Sequence, residues 1–268
     1  MTAAAPFPSR LERFGTVDST QRIVRHWLED GAPEVAVATA DEQLAGRGRQ
    51  GRGWTAPPGK ALLISAGFRP HGLAIRHGWR LPATAALAML DAAEDVAGLQ
   101  DDTLWLKWPN DIVALDHDGL LRKVAGVLGE SKASGPAVDT AVVGIGINAD
   151  WAAADFPPEL GQVMTSLREL ANGRPIDRDQ LLDGYLARLE PRYEALLGGR
   201  FDAGGWSGRQ RTTGHAVEVT VGDVLVHGRA TGVDPESGAL LVRTPEAGIS
   251  IDSGEVTRCR VLDLPAHR

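Results

Sequence analysis

Gly46-Arg47-Gly48-Arg49-Gln50-Gly51-Arg52 alternates three glycines with three arginines in seven residues. The residues after this stretch separate two folds. Gly46, Gly48 and Gly51 fit a Gly-x-Gly-x-x-Gly dinucleotide fingerprint, which needs a helix to begin at once so that its N-terminus faces the pyrophosphate. Pro57-Pro58-Gly59 comes instead, so the chain continues as a loop. A Walker phosphate loop fits no better. Gly59-Lys60 has Trp54 where the earlier glycine should stand, and no Ser or Thr comes next. Ordering repeated glycines costs backbone entropy, so such a loop is kept where backbone must approach something closely. Arg47, Arg49 and Arg52 supply fixed charge and forked donors suited to carboxylate or phosphate. The loop is predicted to order around an anionic ligand; a solvated basic loop without function is the bland alternative.

The rest of the chain narrows the partners. It has 268 residues, enough for one large domain or one large and one small, and a hydrophobic content of 43% that excludes wholesale disorder. A net charge of −7 is a poor start for a nucleic-acid binder. Arg-Gly segments that bind RNA are long and sit in basic chains, whereas this one is short and lies between two strand-like runs. The single cysteine, Cys259, rules out an internal disulfide framework and a multi-cysteine zinc site. It lies in an alternating run and reads as a packed side chain. No basic, apolar leader and no long apolar span occurs, so the cytoplasm is the default compartment. Only four of the 28 basic residues are lysines: Lys60, Lys107, Lys123 and Lys132.

Taken in order, Asp18-Ser19-Thr20-Gln21 offers an N-cap for a helix over about 19–29, stopped by Gly31. Val35–Thr39 and Ala61–Phe68 read as strands, and Leu81–Leu99 as a helix packed on a sheet. Leu104–Trp108, Ile112–Leu115, Val124–Glu130 and Thr140–Asn148 are further strands, with a turn at Asp116-His117-Asp118-Gly119. A helix is expected over about 178–197, then a glycine-rich linker from Gly198 to Gly208. Beyond it, His215–Val221, Val224–Val233, Ala239–Arg243, Gly248–Ile251 and Val256–Leu262 are short strands separated by turns, which predicts a small β-barrel. The larger part lacks strict strand–helix alternation. The class is therefore α+β with a mixed sheet, divided into a larger unit over 1–205 and a barrel over 206–268.

Three more stretches carry chemistry. In Lys107-Trp108-Pro109-Asn110-Asp111, the proline ends a strand and aims an amide and a carboxylate off its edge. An ordinary strand end with a turn reads the same way. Lys123-Val124-Ala125-Gly126-Val127-Leu128 sets a lysine at the mouth of an apolar strand, either as a functional ammonium or as a snorkelling side chain. Gly144-Ile145-Gly146-Ile147-Asn148 puts two glycines inside a buried strand, where a ligand or another backbone approaches, or where a bulge sits.

Together, and in this order, the four stretches resemble the biotin protein ligases: Gly46–Arg52, Lys107–Asp111, Lys123–Leu128 and Gly144–Asn148, with Asp18-Ser19-Thr20 ahead of them. The resemblance runs from about residue 14 to the C-terminus. It implies a catalytic domain of the class II synthetase and biotin/lipoate ligase type with an SH3-like C-terminal barrel. It implies ATP-dependent activation of biotin to biotinyl-5′-AMP with release of pyrophosphate, assisted by Mg²⁺ on the ATP phosphates. Transfer to a lysine of a biotin carboxyl carrier protein completes the reaction. It further implies that Ser19, Thr20 and Gln43 meet the ureido ring, with Gly46, Gly126 and Gly144 giving biotin close passage. Arg47 and Lys123 stand at the carboxyl–phosphate junction, and Asp111 orients the accepting amine. Arg49 and Arg52 hold phosphates, Trp54 covers the adenine, Lys107 serves the nucleotide, and Asn110 and Asn148 serve the nucleotide or its metal. Some members carry an N-terminal DNA-binding domain. Here the first motif starts at Asp18, so a monofunctional ligase without operator binding is expected. Gln50 stands where many members have another arginine. Lipoate ligases share the fold, but the arginine loop with Lys107–Asp111 resembles the biotin branch. The oligomeric state is not legible.

Overall fold

Continuous buried runs, such as Ala61–Phe68 and Ala141–Ile145, build most of the first layer. In the computed structural model, which describes residues 6–116 and 119–262, seven strands form one sheet: β1 (Arg10–Val17), β2 (Ala36–Gln43), β3 (Ala61–Phe68), β4 (Leu104–Lys107), β5 (Asp111–Leu115), β6 (Leu121–Ser134) and β7 (Ala137–Asn148). Their order is β1-β2-β3-β7-β6-β5-β4. β1 and β2 are parallel, joined by the helix α1 (Thr20–Glu29), and every other neighbouring pair is antiparallel. The sheet is thus mixed, as the uneven succession of strands and helices predicted. Two residues of the expected turn, His117 and Asp118, lie outside the described residues.

The two faces are covered differently. Period-two alternation sends Val143, Ile145 and Ile147 to one face, where they join the main core with α2 (Arg80–Val96) and α5 (Arg178–Leu197). Ala36, Ala38 and Val142 face the other way, onto Val24, Trp27 and Leu28 of α1. α1 comes so close that a Cβ on Gly67 would lie 2.5 Å from Val24. α1 covers only part of this face. Gly126 of β6 and Gly144 and Gly146 of β7 lie toward the remainder, whereas Gly129 of β6 faces Pro82 of α2.

The structure departs from the sequence reading at four points. β1 was not read from sequence, because its apolar residues do not alternate cleanly and it is an edge strand with exposed positions such as Leu11. The glycine-rich linker contains a helix, α6 (Ala203–Gly208), capped by Asp202, which accepts from Gly205 N. Its Trp206 is buried against Trp79. Short helices also form at α3 (Pro158–Gly161) and α4 (Leu167–Leu170). The C-terminal strands are found where expected, as β8 (Ala216–Val221), β9 (Val224–Val233), β10 (Leu240–Arg243), β11 (Gly248–Ile251) and β12 (Val256–Val261). They form an antiparallel sheet of order β11-β10-β9-β8-β12. A tight turn at Ser253–Glu255 carries β12 to the far edge, and no closing pair between β11 and β12 occurs among the described residues. No described helix is long and apolar enough to cross a membrane.

Candidate active site

The free part of the α1 face is floored by glycine. Gly144 and Gly146 share a face because they are two apart on β7. Gly126 of β6 lies directly opposite Gly146, and Asp111 of β5 directly opposite Gly126. A row of backbone without side chains therefore leads to a carboxylate. Lys123 is three residues from Gly126, so on a regular strand the two would face opposite sides. A register shift between β5 and β6 removes the difference: Ile112 pairs with Ala125, but Val113 pairs with Lys123, so Val124 is the extra residue of a bulge. Lys123 consequently faces the same side as Gly126, its Nζ 3.1 Å from where a Cβ on that glycine would be. It forms an ion pair with Asp111 Oδ1 at 2.6 Å.

The arginine loop lies above this floor as a hairpin. Arg47 and Gly53 form a β-bridge, Gly48 N donates to Arg52 O at 2.7 Å and Arg52 N to Arg49 O at 3.2 Å. Gln50 and Gly51 at its tip have φ of 55° and 70°, the two left-handed residues of a type I′ turn. Glycine is at home there; Gln50 is strained by about 1–2 kcal/mol. Gln50→Asn, which installs the Asn-Gly pair favoured by this turn, is expected to slow proteolysis within the loop severalfold, read by mass spectrometry of limited digests. Trp54 then folds back so that its indole rests on the glycine floor. A Cβ on Gly146 would lie 2.5 Å from the ring and one on Gly126 3.3 Å from it. Lys123 Nζ lies 5.3 Å from the ring centroid. The buried Trp54 Nε1 has no hydrogen-bond partner among the described residues.

The far end of the floor is polar and neutral. Gln43 Oε1 accepts from Thr20 N at 2.8 Å and Thr20 Oγ1 at 3.1 Å, and the Thr20 and Ser65 hydroxyls are 2.8 Å apart. Ser19 is buried at the start of α1 and its hydroxyl is not used as a cap. These groups and the arginine loop enclose one cavity of about 430 Å³. It gathers Ser19, Thr20, Gln43, Arg47, Arg49, Arg52, Trp54, Lys107, Asn110, Asp111, Lys123, Gly126 and Gly144, all expected from the sequence.

Two expected residues lie outside its wall. Gly46 sits behind it, accepting from Trp54 N at 3.0 Å; a Cβ there would be 2.4 Å from Trp54 O. Asn148 is buried beside it, donating from Nδ2 to Thr165 O at 3.0 Å, with its Oδ1 unpartnered among the described residues. Arg49, expected on phosphate, donates instead to Ser253 O and, at 3.3 Å, to Val256 O of the C-terminal sheet. Burial depresses its guanidinium below the ordinary range; nearby Arg52 adds to this and Asp111 opposes it. Asn110 is pinned to β6, donating from Nδ2 to Val127 O at 3.1 Å.

The profile of the Biotin/lipoate A/B protein ligase family matches residues 14–148, just over half of the chain. The chain belongs to that family. Among ligases of known name, it is 35% identical over 234 residues to the biotin--[acetyl-CoA-carboxylase] ligase of Paracoccus denitrificans, covering 85% of this chain and 92% of that one. It is 33% identical over 242 residues to the bifunctional ligase/repressor BirA of Bacillus spizizenii, covering 90% of this chain and 71% of that protein. A solved biotin protein ligase from Aquifex aeolicus, in complex with biotin and ATP, superposes with a TM-score of 0.76 at 28% identity, covering 94% of this chain and 99% of that one.

Four wall elements of this ligase-family chain were not named as binding residues from sequence, although Gly146 was read there as a place of close approach. Gln21 lies over Gly144, where a Cβ would meet its side chain at 2.9 Å, and donates to Leu128 O at 3.0 Å. Its place in the first turn of α1, on the face of Val24, was the available signal. Ser65 was visible as a lone polar residue in an apolar strand. Gly146 was quoted as part of its motif, and strand periodicity alone sets it beside Gly144. The fourth element, the Val256–Arg260 wall from the second sheet, gave no signal. Cys259 lies in that wall, with its thiol pushed up to about 11, chiefly by burial. With so little thiolate, iodoacetamide at pH 7.5 is expected to label it about a hundredfold more slowly in the folded than in the unfolded chain; comparable rates by mass spectrometry would contradict this.

Proposed function

We propose that this protein joins biotin to ATP, forming biotinyl-5′-AMP and pyrophosphate, and then transfers biotin to a lysine of a biotin carboxyl carrier protein. The observation that carries this reading is the polarity of the cavity: neutral hydrogen-bonding groups at one end, a narrow glycine floor between, and cations at the other. Such a cavity suits an elongated acid with a neutral polar head, an apolar chain and a carboxylate. Ser19, Thr20 and Gln43 bind the ureido head, and Gly126 and Gly144 let the chain pass. The names of relatives in the family support biotin over lipoate.

In the first step the biotin carboxylate attacks the α-phosphorus of ATP and pyrophosphate leaves. Two anions must be brought together, so preorganised positive charge is the main contribution a protein can make. Lys123 and Arg47 supply it at the junction, while Arg52 and Lys107 meet the phosphates. Asn110 and Asn148 bind the nucleotide, the free Oδ1 of Asn148 accepting from its base. Trp54 has to leave part of the glycine floor and cover the adenine. Mg²⁺ riding on the ATP phosphates would neutralise charge there. In the second step the carrier amine attacks the carbonyl carbon and AMP departs. Asp111 orients that amine, and the arginine loop keeps out water that would hydrolyse the mixed anhydride.

ATP–pyrophosphate exchange, measured with biotin and with lipoate, tests the reading. Exchange with biotin and none with lipoate is expected; the reverse preference would make this a lipoate ligase. No exchange with either, together with salt-sensitive retention on heparin, would favour a nucleic-acid binder using the arginine loop.

A further inference from the structure

We propose that Arg49 is a latch: it fastens the arginine loop to the C-terminal sheet, so that this sheet sets how often the loop covers the cavity. Residues 46–54 close on themselves through backbone hydrogen bonds and the Arg47–Gly53 bridge. Those contacts shape the hairpin but do not fix it to the protein. Trp54 anchors one side. On the other, the Arg49 side chain leaves the hairpin and donates from Nη2 to Ser253 O and Val256 O, the carbonyls flanking the turn between β11 and β12. An arginine held by two carbonyls has left water for a partly buried place, and Asp111 lies near enough to favour the charge there. Hydrogen bonds from a charged donor are the stronger kind. In this state the guanidinium is spent on the sheet rather than offered to a ligand, which makes Arg49 a positioning residue. The C-terminal sheet thereby gains a part in controlling access, because one wall of the cavity and the loop's dock are the same segment, Ser253–Arg260.

The latch is tested first in the ligand-free protein, where the answer does not depend on what the enzyme makes. Arg49→Met should raise the rate of tryptic cleavage after Arg47 and Arg52 by roughly tenfold or more, followed by mass spectrometry, since a charged hydrogen bond held the loop shut. Arg49→Lys, which keeps a cation able to reach carbonyls, should restore much of the protection. Far-ultraviolet circular dichroism should show both variants folded. Equal cleavage rates in the wild-type and Met proteins overturn the latch. The second arm rests on the ligase reading given above. In exchange assays Arg49→Met should raise the KM for ATP and biotin severalfold, more than it lowers the saturated rate, because bound substrates close the loop themselves. A saturated rate that falls tenfold or more, with unchanged cleavage, would instead make Arg49 a phosphate ligand. If no exchange is found in any of the proteins, the ligase reading fails while the cleavage result still decides the latch.

Discussion

Lys123→Ala will lower biotin-dependent ATP–pyrophosphate exchange roughly 10²–10³-fold, with the protein still folded. Two features of its surroundings place the effect near the upper end. The bulge at Val124 turns this side chain onto the glycine face, so no other residue of β6 can take its place there. Removing the ammonium also leaves the Asp111 carboxylate, its partner at 2.6 Å, unpaired beside the site where two further anions must meet. Asp111→Asn is expected to behave differently. It removes the partner but keeps the cation, so transfer to the carrier should fall at least as much as activation. Exchange by Lys123→Ala at wild-type rate, checked alongside circular dichroism, would remove Lys123 from the junction.

Arg209→Ala will cost about 3–5 kcal/mol of folding stability, because it strands a buried charge. Glu94 of α2 is only 4% exposed and is held bidentately by Arg209, Nη1 to Oε1 at 3.0 Å and Nη2 to Oε2 at 3.1 Å. Burial alone would lower the Arg209 pKa, but Glu94, Asp102 and Asp91 together raise it, so the guanidinium stays charged. The pair lies at a junction. Arg209 O accepts from Leu106 N at 2.8 Å and Arg211 N donates to Leu106 O at 2.7 Å, so the chain leading to the second sheet runs beside β4. Thr212 then accepts from Trp108 N at 2.9 Å. For a chain of this size the loss corresponds to a fall in Tm on the order of 10 °C. A change under about 2 °C by calorimetry would show that Glu94 is satisfied without the arginine.

Which features were legible in the sequence depends on which forces act locally. Helix α1 was legible from a cap, a helical stripe and a stopping glycine, all within a dozen residues of one another. The glycines of β7 were legible as places of close approach because a buried strand gains nothing from glycine otherwise. What approaches them was not legible. Trp54 lies on Gly146 and Gln21 over Gly144, contacts that depend on the path of a loop and of a helix far away in the chain. The bulge that turns Lys123 was hidden because a strand with one extra residue has the same composition as one without. The direction of Arg49 was hidden for a similar reason. Its loop announces an appetite for oxygen acceptors, and backbone carbonyls some two hundred residues later meet it as readily as phosphate does. β1 stayed unread because an edge strand, half exposed, carries no strong alternation.

The central claim is that Lys123 and the arginine loop neutralise a carboxylate and a phosphate on a glycine floor. A crystal structure grown with biotin and ATP tests this most directly. The expected result is biotinyl-5′-AMP lying across Gly126 and Gly144, its ureido ring bonded to Ser19, Thr20 and Gln43, and Lys123 Nζ and Arg47 within hydrogen-bond distance of the carboxyl–phosphate junction. An adenylate bound elsewhere, with Trp54 still resting on Gly146 and Lys123 still paired only with Asp111, would contradict it.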